Sequence, residues 1–308
     1  RFAPGVMIYS RKSAGTCGLR ERVPFDWRVY NRWAPGSLRR EAMQTELSEA
    51  QIAEFREQGF VVIEGFLEAD ELRLWREVTE EAMRLRLTGS TLNNQIDPDT
   101  FYAQVFTQCL NLKDIHPGMA RLVFDERLGR MAGTLAGLDG VRVWHDQALV
   151  KPPYGNHTAF HFDDPFWSFY SHQAVNVWVA LDDATLANGC LWYFPGTHRQ
   201  ARFELVGIGE NLGDIFKAYP EWRKIEAVPA VCPAGSAIFH NGLIAHGAGA
   251  NMTPFHRRAM TVGFMPHDAV FNGIQSILPD DYFQTLTVGD VLNNDRVNRL
   301  TWLKTPAA

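Results

Sequence analysis

The strongest constraint on the fold is a change of pattern near residue 140. From there the helical period disappears, and short β-prone segments alternate with Gly and Pro turns. The first clear strand, over 141–151, ends at Pro152-Pro153, because proline cannot continue a sheet ladder. Many short strands with turn residues between them are typical of a sandwich, barrel or jelly roll. Further strands are predicted over 159–163, 174–181, 190–194, 236–240, 243–246 and 257–265.

Residues 46–138 have a helical pattern instead and are predicted to form a scaffold. Ser48 followed by Gln51 is a capping box, which begins a helix. A long helix is predicted over 71–86, with one apolar stripe. A third helical stretch is predicted over 117–136.

We expect residues 46–308 to form a single domain around a core at 139–268, with a C-terminal segment at 269–308. Residues 1–45 have no sustained period and are interpreted as an arm that wraps the body or contacts a neighbouring subunit, as in a homo-oligomer. Residues 199–229 join two core strands. Loops of this length are usually functional, so this insertion is predicted to be a lid or a subunit contact.

Composition excludes several classes of protein. The net charge of −5 and the lack of a Lys/Arg-dense run argue against a nucleic-acid partner. No apolar run reaches the ~18 residues of a membrane span. The four cysteines are scattered without metal-binding or disulfide spacing. Reduced thiols predict a cytoplasmic protein.

The candidate metal ligands are His161, Asp163 and His246. Residues two apart on an extended strand share a face, which brings His161 and Asp163 together. Two histidines and one carboxylate form the facial triad of non-haem Fe(II) sites, which leaves coordination positions open.

Other residues compete for these roles. His157 has helical zinc spacing to His161, but Pro152-Pro153 upstream makes a helix implausible. His240 is expected to pack beside the site. Asp164 would point to the opposite face of an extended segment, as a turn residue.

Three motifs together carry a family resemblance. They are Thr158-Ala-Phe-His161-Phe-Asp163, then Asn188-Gly-Cys-Leu…Pro195-Gly-Thr-His198, then His246-Gly-Ala-Gly-Ala-Asn251…Arg257. The combination resembles the phytanoyl-CoA dioxygenase family of Fe(II)/2-oxoglutarate oxygenases, over about 140–268 and more weakly back to about residue 48. The resemblance implies a mainly β fold with a helical N-terminal part. Its core would be a double-stranded β-helix (a cupin-like jelly roll) with helices packed on one sheet.

The resemblance also implies the cofactors and the reaction. His161, Asp163 and His246 would bind Fe(II), and 2-oxoglutarate and O2 would take the open positions. Oxidative decarboxylation to succinate and CO2 would then be coupled to oxidation of a substrate C–H bond. Related halogenases have a small residue in place of the carboxylate, so Asp163 favours hydroxylation or another oxidation over halogenation.

Arg257 matches the position of the arginine that binds 2-oxoglutarate in this family. A guanidinium suits this role because it binds a carboxylate bidentately and stays charged when desolvated. The neighbouring Arg258 is its rival. Small residues share the strand face of Arg257, whereas bulky residues share that of Arg258. Arg257 is therefore expected to point into the barrel.

Further residues are candidates for the cosubstrate pocket. Trp178 matches a lining position of the family, although a plain core role stays open. Gln147 could donate a hydrogen bond to the cosubstrate. Relatives often have Ser two residues after the distal histidine, where this chain has Ala248. Thr261 is the candidate replacement for that hydroxyl.

The leading hypothesis is a dioxygenase that hydroxylates a small organic substrate, such as a secondary metabolite. A redox-neutral isomerase or hydrolase on a cupin-like barrel is the alternative, but it has no need of Arg257. A jelly-roll binding module that has lost its metal is a third hypothesis, disfavoured by the intact ligand set. The aromatic residues from Phe166 to His172 could either line the substrate pocket or belong to the core.

Overall fold

Two antiparallel sheets form the body of the protein in the computed structural model, which describes residues 43–88 and 105–305. The arm over 1–45 lies outside the described residues apart from its last three, and so does any oligomer contact through it. Strands β1 to β11 follow in chain order: Phe60–Ile63, Thr107–Leu110, Gly140–Lys151, Thr158–His161, Val175–Ala180, Leu191–Tyr193, Val228–Ala230, Ala237–Asn241, His246–Ala248, Arg257–Pro266 and Leu300–Leu303.

The larger sheet has the order β1-β8-β5-β10-β3-β11, with β2 paired to β3, and the smaller has the order β4-β9-β6-β7. β5 is buried at all six positions, as expected where both faces of a sheet are covered. Val177 belongs to the core shared with the helices. Trp178 belongs to the core between the two sheets. The fold is therefore mainly β, with a pocket-forming space between the sheets.

The first four helices cover the outer face of the larger sheet, where their apolar side chains form one core with it. Helices α1 to α6 are Glu49–Gln58, Ala69–Thr88, Pro117–Val123, Glu126–Ala136, Ile215–Ala218 and Asp280–Phe283. The Ser48–Gln51 capping box is present, and α1 ends at Gly59, whose φ of 88° is left-handed. No helix in the described part of the chain has the length and apolar character needed to cross a membrane.

Some strand predictions were wrong or incomplete. The strand expected over 243–246 begins only at His246, because Gly242 to Ile244 form a turn in which Asn241 Oδ1 accepts a hydrogen bond from Leu243 N. β2, β7 and β11 were not predicted. Each has only three or four residues, too few for an alternating pattern to stand out.

Two segments outside the core strands have apolar cores of their own. Residues 199–229 pack through Ile215, Tyr219 and Trp222 against Phe162 on the side of the smaller sheet. The C-terminal segment packs Phe271, Leu278 and other apolar residues against Trp144 and Trp167. Residues 199–229 thus pack beside Phe162, which lies between the candidate ligands His161 and Asp163 in the chain. The C-terminal segment packs beside Trp144, which precedes His145 in β3.

Replacing Leu128 with Ala tests the helix–sheet core. Leu128 in α4 is 0% exposed within that core, so the cavity left behind should cost about 2–5 kcal/mol of unfolding free energy. Urea denaturation followed by circular dichroism measures the change. Leu87→Ala is the matched control, because Leu87 in α2 is 52% exposed and should change stability by less than about 0.5 kcal/mol. Equal losses for both variants would contradict this account of the core.

Candidate metal centre and ligand pocket

The antiparallel pairing of β4 with β9 places His161 directly opposite His246. The two imidazole rings lie 4.4 Å apart between centroids. Asp163 completes the group, with one ligand atom from each residue within 4.8 Å of the others. Its Oδ1 lies 3.6 Å from His161 Nε2, and its Oδ2 lies 3.8 Å from His246 Nε2.

Asp163 reaches this position by a route that the sequence did not predict. β4 ends at His161, and Asp163 has helical backbone angles (φ −82°, ψ −40°) at the start of a 3-10 helix, Asp164–Phe166. The expectation of extended backbone through Asp163 was therefore wrong. The backbone N–H groups of Asp163 and Asp164 both donate to Gly242 O, at 2.9 and 3.0 Å. This fastens the turn to the end of β8.

The two histidines are oriented as metal ligands would be. His161 Nδ1 lies 2.8 Å from Ala159 O, and His246 Nδ1 lies 3.0 Å from Ile244 O. A ring N–H donated to a carbonyl leaves the lone pair on Nε2, which faces Asp163. Burial lowers the pKa of His246 to about 3, although Asp163 opposes this shift. Two imidazoles whose Nε2 lone pairs face a carboxylate fit a divalent metal ion.

The Asp163 carboxylate is held in its ionised form. Burial alone would raise its pKa, but the neighbouring imidazoles of His246, His161 and His240 keep the pKa well below its usual range. Asn176 Nδ2 also donates to Oδ2. An anionic ligand is thus available to a metal throughout the neutral pH range.

His240 lies beside this group as expected, with its Nε2 3.3 Å from Asp163 Oδ2 and its Nδ1 3.0 Å from Tyr193 Oη. Asp164 lies in the 3-10 turn before Pro165 and is fully buried. Its carboxylate accepts from Ser171 N at 3.1 Å, and burial raises its pKa to about 8. Within the described residues, His161, Asp163 and His246 remain the group that could hold a metal.

Arg257 points into the same cavity as the three ligands, as the alternation of residue sizes predicts. Its side chain is 1% exposed, and Nε and Nη1 have no hydrogen-bond partner. The guanidinium lies 5.1 Å from the Trp178 ring centroid. Burial lowers its pKa to about 10. Arg258 points outward instead and pairs with Asp182, at 2.7 Å, and with Glu80.

Other buried polar atoms without partners line the same cavity as Arg257. Thr261 Oγ1, Trp178 Nε1 and Thr158 Oγ1 are buried and unsatisfied, and all three residues line the cavity. Buried polar groups are normally hydrogen-bonded, so this set indicates a polar ligand. An unpaired buried guanidinium calls for an anion in particular. A carboxylate-bearing cosubstrate held beside a metal fits both requirements.

Gln147 lines the cavity from β3, and its Oε1 accepts a hydrogen bond from Gln108 Nε2 in β2. This contact occupies the amide oxygen and leaves the amide N–H groups of Gln147 for the cavity. Gln108 was missed from the sequence, because β2 was not recognised and no motif surrounds it.

The cavity has a volume of about 340 Å³ and extends beyond the metal group. Phe166 and Trp167 line it, while Phe169 is buried in the adjacent core. The aromatic stretch after the metal motif is therefore part wall and part core. No sequence motif marks the wall residues His145, Ile274, Ser276 and Ile277, and the predicted lid over 199–229 contributes Leu205 and Ile208.

Comparison with known proteins agrees with this geometry. The model of the family described as phytanoyl-CoA dioxygenase (PhyH) matches residues 55–259. The chain belongs to this family. A phytanoyl-CoA dioxygenase of Arabidopsis thaliana is 23% identical over 254 residues, which cover 72% of this chain and 90% of that protein.

Solved structures give the same picture. The alpha-ketoglutarate-dependent carbocyclase SnoK from nogalamycin biosynthesis has a TM-score of 0.67 and 26% identity, covering 83% of this chain and 97% of its own. The epimerase SnoN, in complex with Fe3+, alpha-ketoglutarate and nogalamycin RO, has a TM-score of 0.65 and 25% identity, covering 82% and 96%. This family member is an Fe(II)/2-oxoglutarate-dependent dioxygenase with iron, 2-oxoglutarate and O2 as its cofactors.

Lys151 gives a testable pH dependence. It is fully buried opposite Arg257 in the β3–β10 ladder, and Nζ donates to Asn156 O at 2.6 Å. Burial, and then repulsion by Arg257, lower its pKa to about 7. Between pH 7 and the unfolded value of about 10.4, the unfolded chain binds more protons, so stability rises with pH.

The measurement is the unfolding free energy of the metal-free, cosubstrate-free protein and of Lys151→Met from pH 6 to 10. The stability of the wild type relative to the variant should be flat below pH 7 and should rise above it. A difference that stays flat across the whole range would show that Lys151 titrates normally. Lys304→Met is the control, because the Lys304 side chain is 65% exposed.

Proposed function

We propose that this enzyme hydroxylates a C–H bond of a small organic substrate and releases succinate and CO2 from 2-oxoglutarate. The observation that carries the proposal is the unpaired, buried Arg257 guanidinium in the cavity that contains His161, Asp163 and His246. A metal triad alone would fit several chemistries. The added cation fits a dicarboxylate cosubstrate bound between arginine and metal.

In this proposal, His161, Asp163 and His246 hold Fe(II), and each contributes one ligand atom. The bound iron would supply O2 activation coupled to decarboxylation of the cosubstrate. Nδ1 of each histidine stays on its backbone carbonyl, which fixes both rings during turnover. Hydrogen bonds from Asn176 and His240 hold the Asp163 carboxylate in place.

Arg257 would bind the carboxylate of 2-oxoglutarate that is remote from the metal. The Trp178 ring, 5.1 Å from the guanidinium carbon, keeps the cation dry and in place. Thr261 and Gln147 would donate hydrogen bonds to the cosubstrate, and Thr261 Oγ1 is unsatisfied. Thr261 would then replace the hydroxyl that is missing at Ala248.

The finer description of the fold also belongs to this proposal. The two facing sheets would form a double-stranded β-helix with the helices on the larger sheet. Residues 199–229 would act as a lid that excludes water, since Leu205 and Ile208 line the cavity. The redox-neutral isomerase or hydrolase remains the alternative. It leaves the buried charge of Arg257 without a ligand.

Replacing Arg257 with Met tests the cosubstrate site. Losing the charge-assisted pair should weaken 2-oxoglutarate binding by about 2–4 kcal/mol, or roughly 30- to 1000-fold. The measurement is an anaerobic titration of the Fe(II)-loaded protein with 2-oxoglutarate, followed by the visible metal-to-ligand charge-transfer band. Arg258→Met is the matched control and should keep wild-type affinity, because Arg258 faces Asp182. No band in folded, metal-replete wild type would refute the oxygenase proposal.

Replacing Asp163 with Ala tests the metal site. Removal of the one anionic ligand should lower Fe(II) affinity at least about tenfold and abolish succinate formation. Anaerobic competition with a chromogenic chelator measures the affinity. Asp164→Asn is the neighbouring control, because an amide oxygen can still accept from Ser171 N. Unchanged Fe(II) binding in Asp163→Ala would show that the metal lies elsewhere.

A further inference from the structure

The cavity has two chemically different halves. One half holds the metal group and the unsatisfied polar atoms around Arg257. The other half is built by the start of β3, by the turn after the metal motif, and by parts of the 199–229 and C-terminal segments. We call this second half the outer half, and its lining residues are Trp144, His145, Phe166, Trp167, Ile274 and Ile277.

Once the cofactors are bound, the described side chains that line the cavity have no fixed charge left to pair with a substrate. Among the described residues that line the cavity, Asp163 and Arg257 are the side chains with a fixed charge; the other ionisable ones are histidines. Asp163 would be taken by iron and Arg257 by the cosubstrate. Lys113, on the far side of Trp144, is already engaged, with Nζ 3.0 Å from Asn111 Oδ1 and 3.6 Å from Asp146 Oδ1. A charged substrate group would therefore be buried unpaired, which is costly.

The walls of the outer half are aromatic and held in place. The Trp144 and Trp167 rings lie 6.5 Å apart, and each packs on Phe169, at 5.3 and 5.4 Å. Asn272 Nδ2 donates to Trp167 O at 3.1 Å, which ties the aromatic turn to the C-terminal segment.

A second hydrogen bond joins the same two segments, from Ser168 Oγ to Gln275 O at 2.9 Å. The next residue, Ser276, lines the cavity with a left-handed φ of 46°. Strained backbone of this kind persists where surrounding contacts enforce it. The result is a preformed apolar slot rather than a loose opening, and the aromatic rings in its wall favour contact with a ligand that has rings of its own.

Two polar groups interrupt this apolar wall, namely the His145 imidazole and Trp144 Nε1, which is buried without a hydrogen-bond partner. His145 is the one that can both donate and accept a hydrogen bond. It is 6% exposed, and its Nδ1 is buried without a hydrogen-bond partner among the described residues. Its ring packs edge-on against Trp167 at 5.8 Å. The space for the ring exists because its ladder partner is Gly263, where an added Cβ would overlap His145 Nδ1. A buried imidazole without a partner lacks one or two hydrogen bonds that a ligand can supply.

From these observations we infer that the substrate is an uncharged, largely apolar, planar molecule whose hydroxyl or carbonyl group hydrogen-bonds to His145. The inference rests on the proposed function, because it assigns the outer half of the same cavity to the substrate. His145 is then a specificity-determining residue. His145 determines the orientation in which an otherwise apolar ring system binds in the outer half of the cavity.

The experiment uses four naphthalene probes of matched size: naphthalene, 2-naphthol, 2-naphthoate and 2-naphthylmethylammonium. Anaerobic equilibrium dialysis measures their binding to the full chain loaded with Fe(II) and saturating 2-oxoglutarate. Both neutral probes should bind at least about tenfold more tightly than both charged ones. Tighter binding of a charged probe would overturn the inference. So would a lack of binding by all four while the charge-transfer band is present. Absence of the band would overturn the proposed function itself, and with it the inference.

The role of His145 is tested with the two neutral probes. His145→Leu should weaken 2-naphthol binding about five- to tenfold and leave naphthalene binding unchanged. His145→Gln, which keeps a polar group, should restore part of the difference. His172→Leu is the control, because His172 is an exposed histidine that does not line the cavity. Equal loss of both probes in His145→Leu, or full affinity for 2-naphthol in it, would show that His145 only shapes the slot.

Discussion

The pairing of β4 with β9 is the interaction on which the site depends. It sets His161 opposite His246, residues that are far apart in the chain. A shift of one residue in this register would turn one imidazole to the other face of the sheet. The turn that carries Asp163 is fastened to Gly242 by two backbone hydrogen bonds, so the carboxylate keeps its position relative to both rings.

The second constraint is buried charge. Arg257 and Lys151 are neighbours across the β3–β10 ladder, and both are removed from water. Lys151 is satisfied by Asn156 O, whereas two guanidinium nitrogens of Arg257 are not. Such an arrangement is unfavourable for the empty protein and becomes favourable when an anion binds. The cosubstrate site is thus part of the electrostatic balance of the fold.

The substrate side of the cavity follows a different principle. Its walls come from segments that have little pattern in common, and cross-segment hydrogen bonds such as Ser168 to Gln275 join them. Among the described residues of that wall no side chain has a fixed charge, and His145 Nδ1 and Trp144 Nε1 are buried polar atoms without a partner. Specificity in this enzyme would therefore rest on shape, aromatic contact and one hydrogen bond.

The sequence by itself determined the mainly β core, the helices that precede it and the identity of the metal and arginine candidates, because these depend on local pattern and short motif spacing. The inward direction of Arg257 followed from strand alternation alone. Only the tertiary structure decided that Asp163 lies on a helical turn, that Gln108 meets Gln147, and that Ile274, Ser276 and Ile277 line the cavity. These features arise from contacts between segments distant in the chain, and no local pattern encodes them.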